Sequence, residues 1–267
     1  MTDNPPLALV TGASRGIGYE LAKQFADHGF DVMVNSEDAA ISDAAETLRA
    51  SGREVTPLRA DLTVQDGVER LYAAVAATGR PVAAAALNAG IGVGGSFLDN
   101  DLADELRLID LNVKSTVHLA KRLLPAMVRQ GEGGILFTSS IASTMPGSFQ
   151  AVYNASKSFI QSFAEALHNE LKDTDVVVTS LMPGPTDTDF FRRAGMQNTR
   201  IGRMNKDDPA LVARQGFDAL MAGRTKRVAG SVKTRAQGLA NAFLPDGAKA
   251  QLHRRMAEPD ARSGDEQ

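Results

Sequence analysis

Short apolar runs recur along the chain at Leu7–Val10, Val32–Val34, Val55–Leu58, Val82–Leu87, Ile135–Thr138 and Val176–Leu181. Each is a continuous block without polar alternation, the pattern of a strand buried on both faces. Between them, Ile17–His28, Ala39–Ala50, Val64–Ala77, Leu102–Val128 and Val152–Leu171 carry apolar residues at helical spacing, several introduced by Ser, Thr or Asp. Strand and helix alternate throughout, which predicts an α/β chain with a doubly wound parallel sheet of six to seven strands and helices on both faces. The seventh strand is a weak run at Arg227–Gly230 suited to an edge. Too few strand–helix units are present for a closed eight-stranded barrel.

Ligands of open sheets bind beyond the carboxyl ends of the strands, where strand order reverses. The first strand runs directly into Thr11, Gly12, Ala13, Ser14, Arg15, Gly16, Ile17 and Gly18, and a helix begins there. Without Cβ atoms this backbone can turn tightly and approach a pyrophosphate, while the free amides and the positive end of the helix dipole face its charge. Read alone, such glycines would serve only a tight junction; after the first strand of a doubly wound pattern they predict a dinucleotide cradle.

Tyr153 and Lys157 stand four residues apart near the start of a helix and so share one face. A tyrosine phenol has a pKa of ~10, and bringing it near neutrality takes roughly 4 kcal/mol of preferential phenolate stabilisation, much of which a close ammonium can supply. At the end of the fifth strand, Ser139 and Ser140 both offer a hydroxyl that can hold a substrate oxygen beside Tyr153, and alternation along a strand lets only one face the crevice.

With these residues in place, the chain resembles the short-chain dehydrogenase/reductase family over Leu7 to about Gly230. The shared features are the Thr-Gly-x-x-x-Gly-x-Gly loop, Asp61-Leu62 after the third strand, Asn88-Ala89-Gly90 after the fourth, the Tyr-x-x-x-Lys pair, and the Pro183-Gly184 segment after the sixth. The resemblance implies a Rossmann-like fold and an NAD(P)-dependent dehydrogenase/reductase acting on CH-OH/C=O groups, with Tyr153 as general acid/base. It selects Ser140 over Ser139 and completes a tetrad with Asn112, which would position a water linking Lys157 to solvent. It also implies adenine contacts from Asp61 and Leu62, ribose contacts from Lys157, and a nicotinamide or pyrophosphate contact from Thr188. With Pro183, Gly184, Thr186, Asn88, Ala89 and Gly90, these complete the expected cofactor site.

The adenosine ribose should lie at the end of the second strand, by Ser36 and Glu37. Glu37 would accept from a 2′-hydroxyl and repel a 2′-phosphate, whereas Arg15 would pair with that phosphate. Family members preferring NAD often carry Asp at the position of Ser36, and many preferring NADP carry Arg at that of Glu37. The chain follows neither pattern, and the reading leans to NAD. Ile141, Met145, Phe149, Phe190 and Phe191 neighbour the reacting motifs and can enclose a hydrophobic ketone or alcohol, or serve as core and subunit contacts.

Composition fits this picture. Of 267 residues, 43% are hydrophobic and 23% charged, as in ordinary globular proteins, and a single domain over 1–256 with a flexible tail over 257–267 is expected. A net charge of −3 with scattered basic residues argues against a nucleic-acid partner. The chain contains no cysteine, which removes thiol chemistry and suits a reducing, cytoplasmic setting. His28, His118, His168 and His253 are too dispersed for a local metal motif and read as ordinary helical side chains. Met1–Pro6 lacks the features of a secretory signal, and no apolar run is long enough to span a bilayer. A homo-oligomer, dimer or tetramer, is expected through the helices Leu102–Val128 and Val152–Leu171. Two other functions compete: a dinucleotide-binding redox sensor without turnover, and an isomerase or dehydratase using transient hydride transfer.

Overall fold

A strand covered on both faces needs apolar side chains at successive positions, and the predicted runs meet that demand. In the structure, a computed structural model that describes residues 4–232, 234–236 and 244–260, they form β1 (Leu7–Thr11), β2 (Asp31–Ser36), β3 (Val55–Arg59), β4 (Val82–Leu87), β5 (Gly133–Thr138), β6 (Val176–Pro183) and β7 (Lys226–Ala229). They make one parallel sheet in the order β3-β2-β1-β4-β5-β6-β7. Both edges show their position: β3 carries Pro57, tolerated where a ladder is one-sided, and β7 is the weak run of the sequence.

The helices are α1 (Gly16–Asp27), α2 (Ala40–Leu48), α3 (Gln65–Ala77), α4 (Leu102–Ile109), α5 (Thr116–Gln130), α6 (Ala151–Glu170), α7 (Phe190–Arg193), α8 (Arg200–Arg203), α9 (Pro209–Met221) and α10 (Asp246–Ala257). Alternate strand residues feed two cores. Leu7, Leu9, Ile135 and Phe137 meet Leu71 of α3, Leu119 of α5 and Ile160 of α6 on one face. Ala8, Val10 and Leu136 meet Leu21 and Phe25 of α1, Ile41 of α2 and Phe217 of α9 on the other. Burial of these apolar side chains stabilises the layers by roughly 25 cal/mol per Å² removed from water. Helix α9 was not among the predicted segments, although Asp208 caps its Ala210 amide and Pro209 opens its first turn.

The predicted helix Leu102–Val128 is not continuous. Asp110–Ser115 between α4 and α5 is π-helical, a widened turn that often marks a functional position. Ser115 and Thr116 donate from their hydroxyls to the carbonyls of Leu111 (2.5 Å) and Asn112 (2.9 Å), four residues back.

In the segment 257–267, expected as a flexible tail, the described part is docked. Ala257 is buried, Pro259 bridges to Thr199, and the Asp260 amide donates to the Asn198 carbonyl at 3.0 Å. Residues 261–267 lie outside the described residues. Among the described residues no helix is long and apolar enough to cross a membrane.

Strand order reverses between β1 and β4, and the segments leaving β1, β4, β5 and β6 all run toward the carboxyl edge there.

Candidate active site

The floor of the crevice is braced by hydroxyl and amide groups of Thr11, Asn88 and Thr138. The Thr11 hydroxyl accepts from the amides of Asn88 (3.0 Å) and Ala89 (3.1 Å). The Asn88 side chain donates to the Thr11 carbonyl (3.2 Å) and accepts from the Thr138 hydroxyl (3.1 Å). The ends of β1, β4 and β5 are thereby locked in register.

Above this brace lies one continuous cavity, lined at one end by Gly12, Ser14, Arg15, Gly16, Ile17 and Gly18. Two of the glycines are required by sterics. A Cβ on Gly18 would sit 2.1 Å from the Gly12 carbonyl oxygen, and Gly12 itself has φ +68° with Ala89 against it. No side chain caps α1, so its first amides are free to meet an anion. Thr188 closes over this loop, its methyl 2.9 Å from where a Cβ on Gly16 would stand. Ser36, Asn88, Ala89, Gly90, Pro183, Gly184, Thr186 and Thr188 continue the wall. A long cleft with an uncapped helix terminus at one end and small residues along its length fits an extended dinucleotide.

At the other end stand Tyr153, Lys157 and Ser140. The Lys157 ammonium donates to the Thr138 carbonyl at 2.8 Å and lies 5.9 Å from the centre of the Tyr153 ring. The Ser139 hydroxyl is engaged elsewhere, donating to the Lys157 carbonyl at 3.0 Å. The Ser140 hydroxyl accepts from the Ala142 amide at 3.1 Å and hydrogen-bonds Tyr153. Burial pushes the Tyr153 phenol up to about 12, with the Ser140 bond pulling the other way, and burial pulls Lys157 down to about 8. The expected approach of the phenol to neutrality through Lys157 is therefore not a property of this chain by itself, because desolvation dominates both groups.

Asn112, only 1% exposed, lies behind the wall rather than on it. Its side chain accepts from the Ile91 amide and donates to the Ile91 carbonyl, both at 2.9 Å, and donates to the Ser156 hydroxyl at 3.1 Å. Gly90 lies against it and Lys157: a Cβ there would come within 3.1 Å of Asn112 Oδ1 and 3.3 Å of Lys157 Nζ.

Four further predicted residues stand off the cavity wall. Glu37 does not line the cavity; its carboxylate is bound by the guanidinium groups of Arg107 and Arg193, the latter at 3.1 Å. Asp61, also off the wall, accepts from the Thr63 amide (2.9 Å) and hydroxyl (2.8 Å) and from Arg107 (3.4 Å). Leu62 is buried in the core beneath α3. Phe149 packs against the cluster of Phe191, Ala194, Met196 and Ala257, its ring under Arg254 at 5.5 Å. Ile141, Met145, Phe190 and Phe191 line the cavity, and the Phe190 ring stands 5.1 Å from that of Tyr153.

Sequence reasoning missed Gln150, Ile201, Met204, His253 and Met256, all on the wall. His253, taken as an ordinary helical side chain, is 3% exposed and bonds through Nδ1 to the Ser148 carbonyl at 2.9 Å. Among the described residues no cluster of three or more His, Asp or Glu side chains is arranged to hold a metal.

Residues 6–199 match the family model described as short chain dehydrogenase. The chain belongs to the short-chain dehydrogenase family. This short-chain dehydrogenase is accordingly an NAD(P)-dependent dehydrogenase/reductase with the doubly wound fold of its relatives. It is 32% identical over 189 residues to the uncharacterized oxidoreductase YmfI of Bacillus subtilis, covering 70% of this chain and 77% of that protein. It is 33% identical over 214 residues to sulfoacetaldehyde reductase 2 of Chromohalobacter salexigens, covering 78% and 83%. Among solved structures, a family member from Burkholderia phymatum in complex with NAD superposes with a TM-score of 0.81 at 26% identity, covering 98% of this chain and 99% of that one. A short-chain dehydrogenase from Sphingobium yanoikuyae in complex with NADPH gives 0.79 at 26% identity, covering 97% and 99%.

Proposed function

We propose that this short-chain dehydrogenase transfers a hydride between a nicotinamide dinucleotide and the carbon of a carbonyl or secondary alcohol, with Tyr153 exchanging the proton. The observation that carries this reading is the gathering of the Tyr153 phenol, the Ser140 hydroxyl and the Lys157 ammonium at one end of a cavity whose other end is the glycine loop of α1. Gly12 to Gly18, Asn88, Ala89, Gly90 and Thr188 would hold the dinucleotide. The bound reduced nicotinamide supplies the hydride and both of its electrons.

In the reducing direction, Ser140 and Tyr153 hydrogen-bond the substrate oxygen and draw charge onto it. Tyr153 gives its phenolic proton to that oxygen as the carbon–oxygen double bond becomes single. The tyrosinate left behind is stabilised by the Lys157 cation, and its proton is replaced from solvent. Asn112 acts through position: by fixing Ile91 and lying against Gly90 beside Lys157, it holds the wall on which the ammonium rests. Oxidation runs these steps backwards.

NAD is the preferred dinucleotide in this reading. Three guanidinium groups near the end of β2 have carboxylate partners: Arg15 bonds Asp38 at 2.6 Å, and Arg107 and Arg193 bond Glu37, while Arg59 donates to the Glu37 carbonyl at 2.9 Å. A 2′-phosphate pairing with any of the first three would have to displace its carboxylate. The protein assembles as a homo-oligomer through α4 and α6, which present Leu102, Leu106 and Phe159 to solvent beside Phe97 and the 90%-exposed Leu98.

The test is nicotinamide absorbance during a screen of ketones and alcohols with both dinucleotides. Stoichiometric change supports net redox chemistry; binding without change overturns it.

A further inference from the structure

Residues from the carboxy-terminal part of the chain close the cavity beside Tyr153. The Phe190 ring, 5.1 Å from that of Tyr153, stands 5.4 Å from the Phe191 ring. Phe191, Ala194, Met196 and Ala257 form a buried apolar cluster, and Phe190 and Ile201 pack against it. Ile201 of α8, Met204 just after it and Met256 of α10 continue the cavity wall from there. All three stand beyond residues 6–199, the stretch matched by the family model.

This part of the wall is fixed in place from two sides. Pro259 bridges to Thr199, the Asp260 amide donates to the Asn198 carbonyl at 3.0 Å, and the Asp260 carboxylate pairs with Arg203 of α8 at 2.5 Å. The Ser148 hydroxyl donates to the Ala250 carbonyl at 3.3 Å, and His253 Nδ1 donates to the Ser148 carbonyl at 2.9 Å. Helices α8 and α10 are thereby joined to each other and to the segment between Ser140 and Tyr153.

Charge is placed elsewhere. Besides Tyr153, the titratable side chains on the wall are Arg15, Lys157, Asp189, Arg193 and His253. Arg15 pairs with Asp38 and Asp189, and Arg193 with Glu37, toward the glycine loop and the end of β2. Lys157 donates to the Thr138 carbonyl beside Tyr153. Burial holds the His253 imidazole below the usual histidine range, so the ring is neutral. The cations around the aromatic cluster stand off the wall with partners of their own. Lys206, 5.2 Å from the centre of the Phe191 ring, donates to the Gly202 carbonyl at 2.7 Å, and Arg254, over Phe149, pairs with Glu258 at 2.8 Å. A carboxylate, sulfonate or phosphate against this wall would lose its water and meet no unpaired cation among the described residues.

We propose that the substrate is an uncharged ketone, or the matching secondary alcohol, whose larger carbonyl substituent is a hydrocarbon body lying against Phe190, Phe191, Ile201, Met204 and Met256. Methionine side chains are unbranched and adapt their shape, so with Met145, Met204 and Met256 the wall accepts straight chains and rings alike. This assignment rests on the oxidoreductase reading above.

The experiment measures kcat/KM at saturating dinucleotide for linear 2-ketones from acetone upward, for aryl methyl ketones, and for keto acids and ketosulfonates of matched length. For the wild-type protein the value should rise about threefold per added methylene until the wall is covered. A terminal carboxylate or sulfonate should cost about tenfold or more against the neutral ketone of the same length. Met204→Ala and Met256→Ala should each flatten the rise, and Met256→Arg should narrow the gap between acid and ketone. Dinucleotide binding, followed by nicotinamide fluorescence, reports that each variant is folded; should one fail to fold, the wild-type series still decides. A series that does not rise with chain length, or a preference for acids or sulfonates, overturns the assignment and leaves the oxidoreductase reading intact. Dinucleotide binding with no turnover of any member overturns both.

Discussion

Lys157 holds its ammonium nitrogen 5.9 Å from the centre of the Tyr153 ring while donating 2.8 Å to the Thr138 carbonyl. The cation is thus tied to the end of β5, the strand that leads to Ser140, and its distance from the phenol is set by the sheet.

A pH dependence follows from the two buried groups. Tyr153, pushed up to about 12, keeps its proton throughout the working range, while Lys157, pulled down to about 8, loses its charge as pH rises through that value. In the reducing direction kcat/KM should therefore fall as pH rises through about 8, the loss reporting the lysine and not the tyrosine. In Lys157→Arg, whose side chain stays charged, the residual activity should lack that limb. An unchanged limb in the variant would assign it to another group.

The glycine loop gives a steric prediction. A Cβ on Gly18 would stand 2.1 Å from the Gly12 carbonyl oxygen and 2.5 Å from Asn88 Nδ2, both parts of the proposed cradle. Gly18→Ala should weaken dinucleotide binding by about tenfold or more, about 1.4 kcal/mol. Gly247→Ala, where nothing lies within 4 Å of the added carbon, should leave binding unchanged. Calorimetric titration checks both; equal affinities in the two variants would remove the loop from the site.

Much of this site is legible from sequence because it follows strand ends. Strands such as Val82–Leu87 are buried on both faces and must read as unbroken apolar runs, so the residues after them, Asn88 or Ser140, are located with them. The break at Asp110–Ser115 has no such signal: no proline or glycine marks it, and the side chains that accompany it bond backwards only once the helix is packed. The ion pairs of Glu37 leave no local signal because its arginine partners are 70 and 156 residues away. His253 looked ordinary because the carbonyl that orients it is 105 residues away. Local pattern finds the strands and their loops, whereas pairings across such separations belong to the folded chain.

Cofactor choice turns on Glu37. Because its carboxylate occupies Arg107 and Arg193, Glu37→Gln should free both guanidinium groups and shift the NAD-to-NADP ratio of kcat/KM toward NADP by about tenfold, or ~1.4 kcal/mol. Steady-state kinetics with both dinucleotides measure it. An unchanged ratio would show that neither arginine reaches the ribose.

The exposed apolar face of α4 predicts assembly. Sedimentation at micromolar concentration should show a dimer or tetramer for the wild-type protein, and Leu102→Asp with Leu106→Asp should shift it toward the monomer, since a carboxylate in an apolar interface is left desolvated. A wild-type protein that sediments as a monomer at every concentration would end this account of the face.

The central claim is that Tyr153 moves the proton while the rest of the cavity holds the dinucleotide. Tyr153→Phe keeps the ring that packs against Phe190 and removes only the hydroxyl. With a ketone that the wild-type protein reduces, the variant should lose about a hundredfold or more in kcat, the scale of a positioned general acid, while its dinucleotide affinity stays within about twofold of wild type. Reduction by Tyr153→Phe at a rate close to wild type would contradict the account.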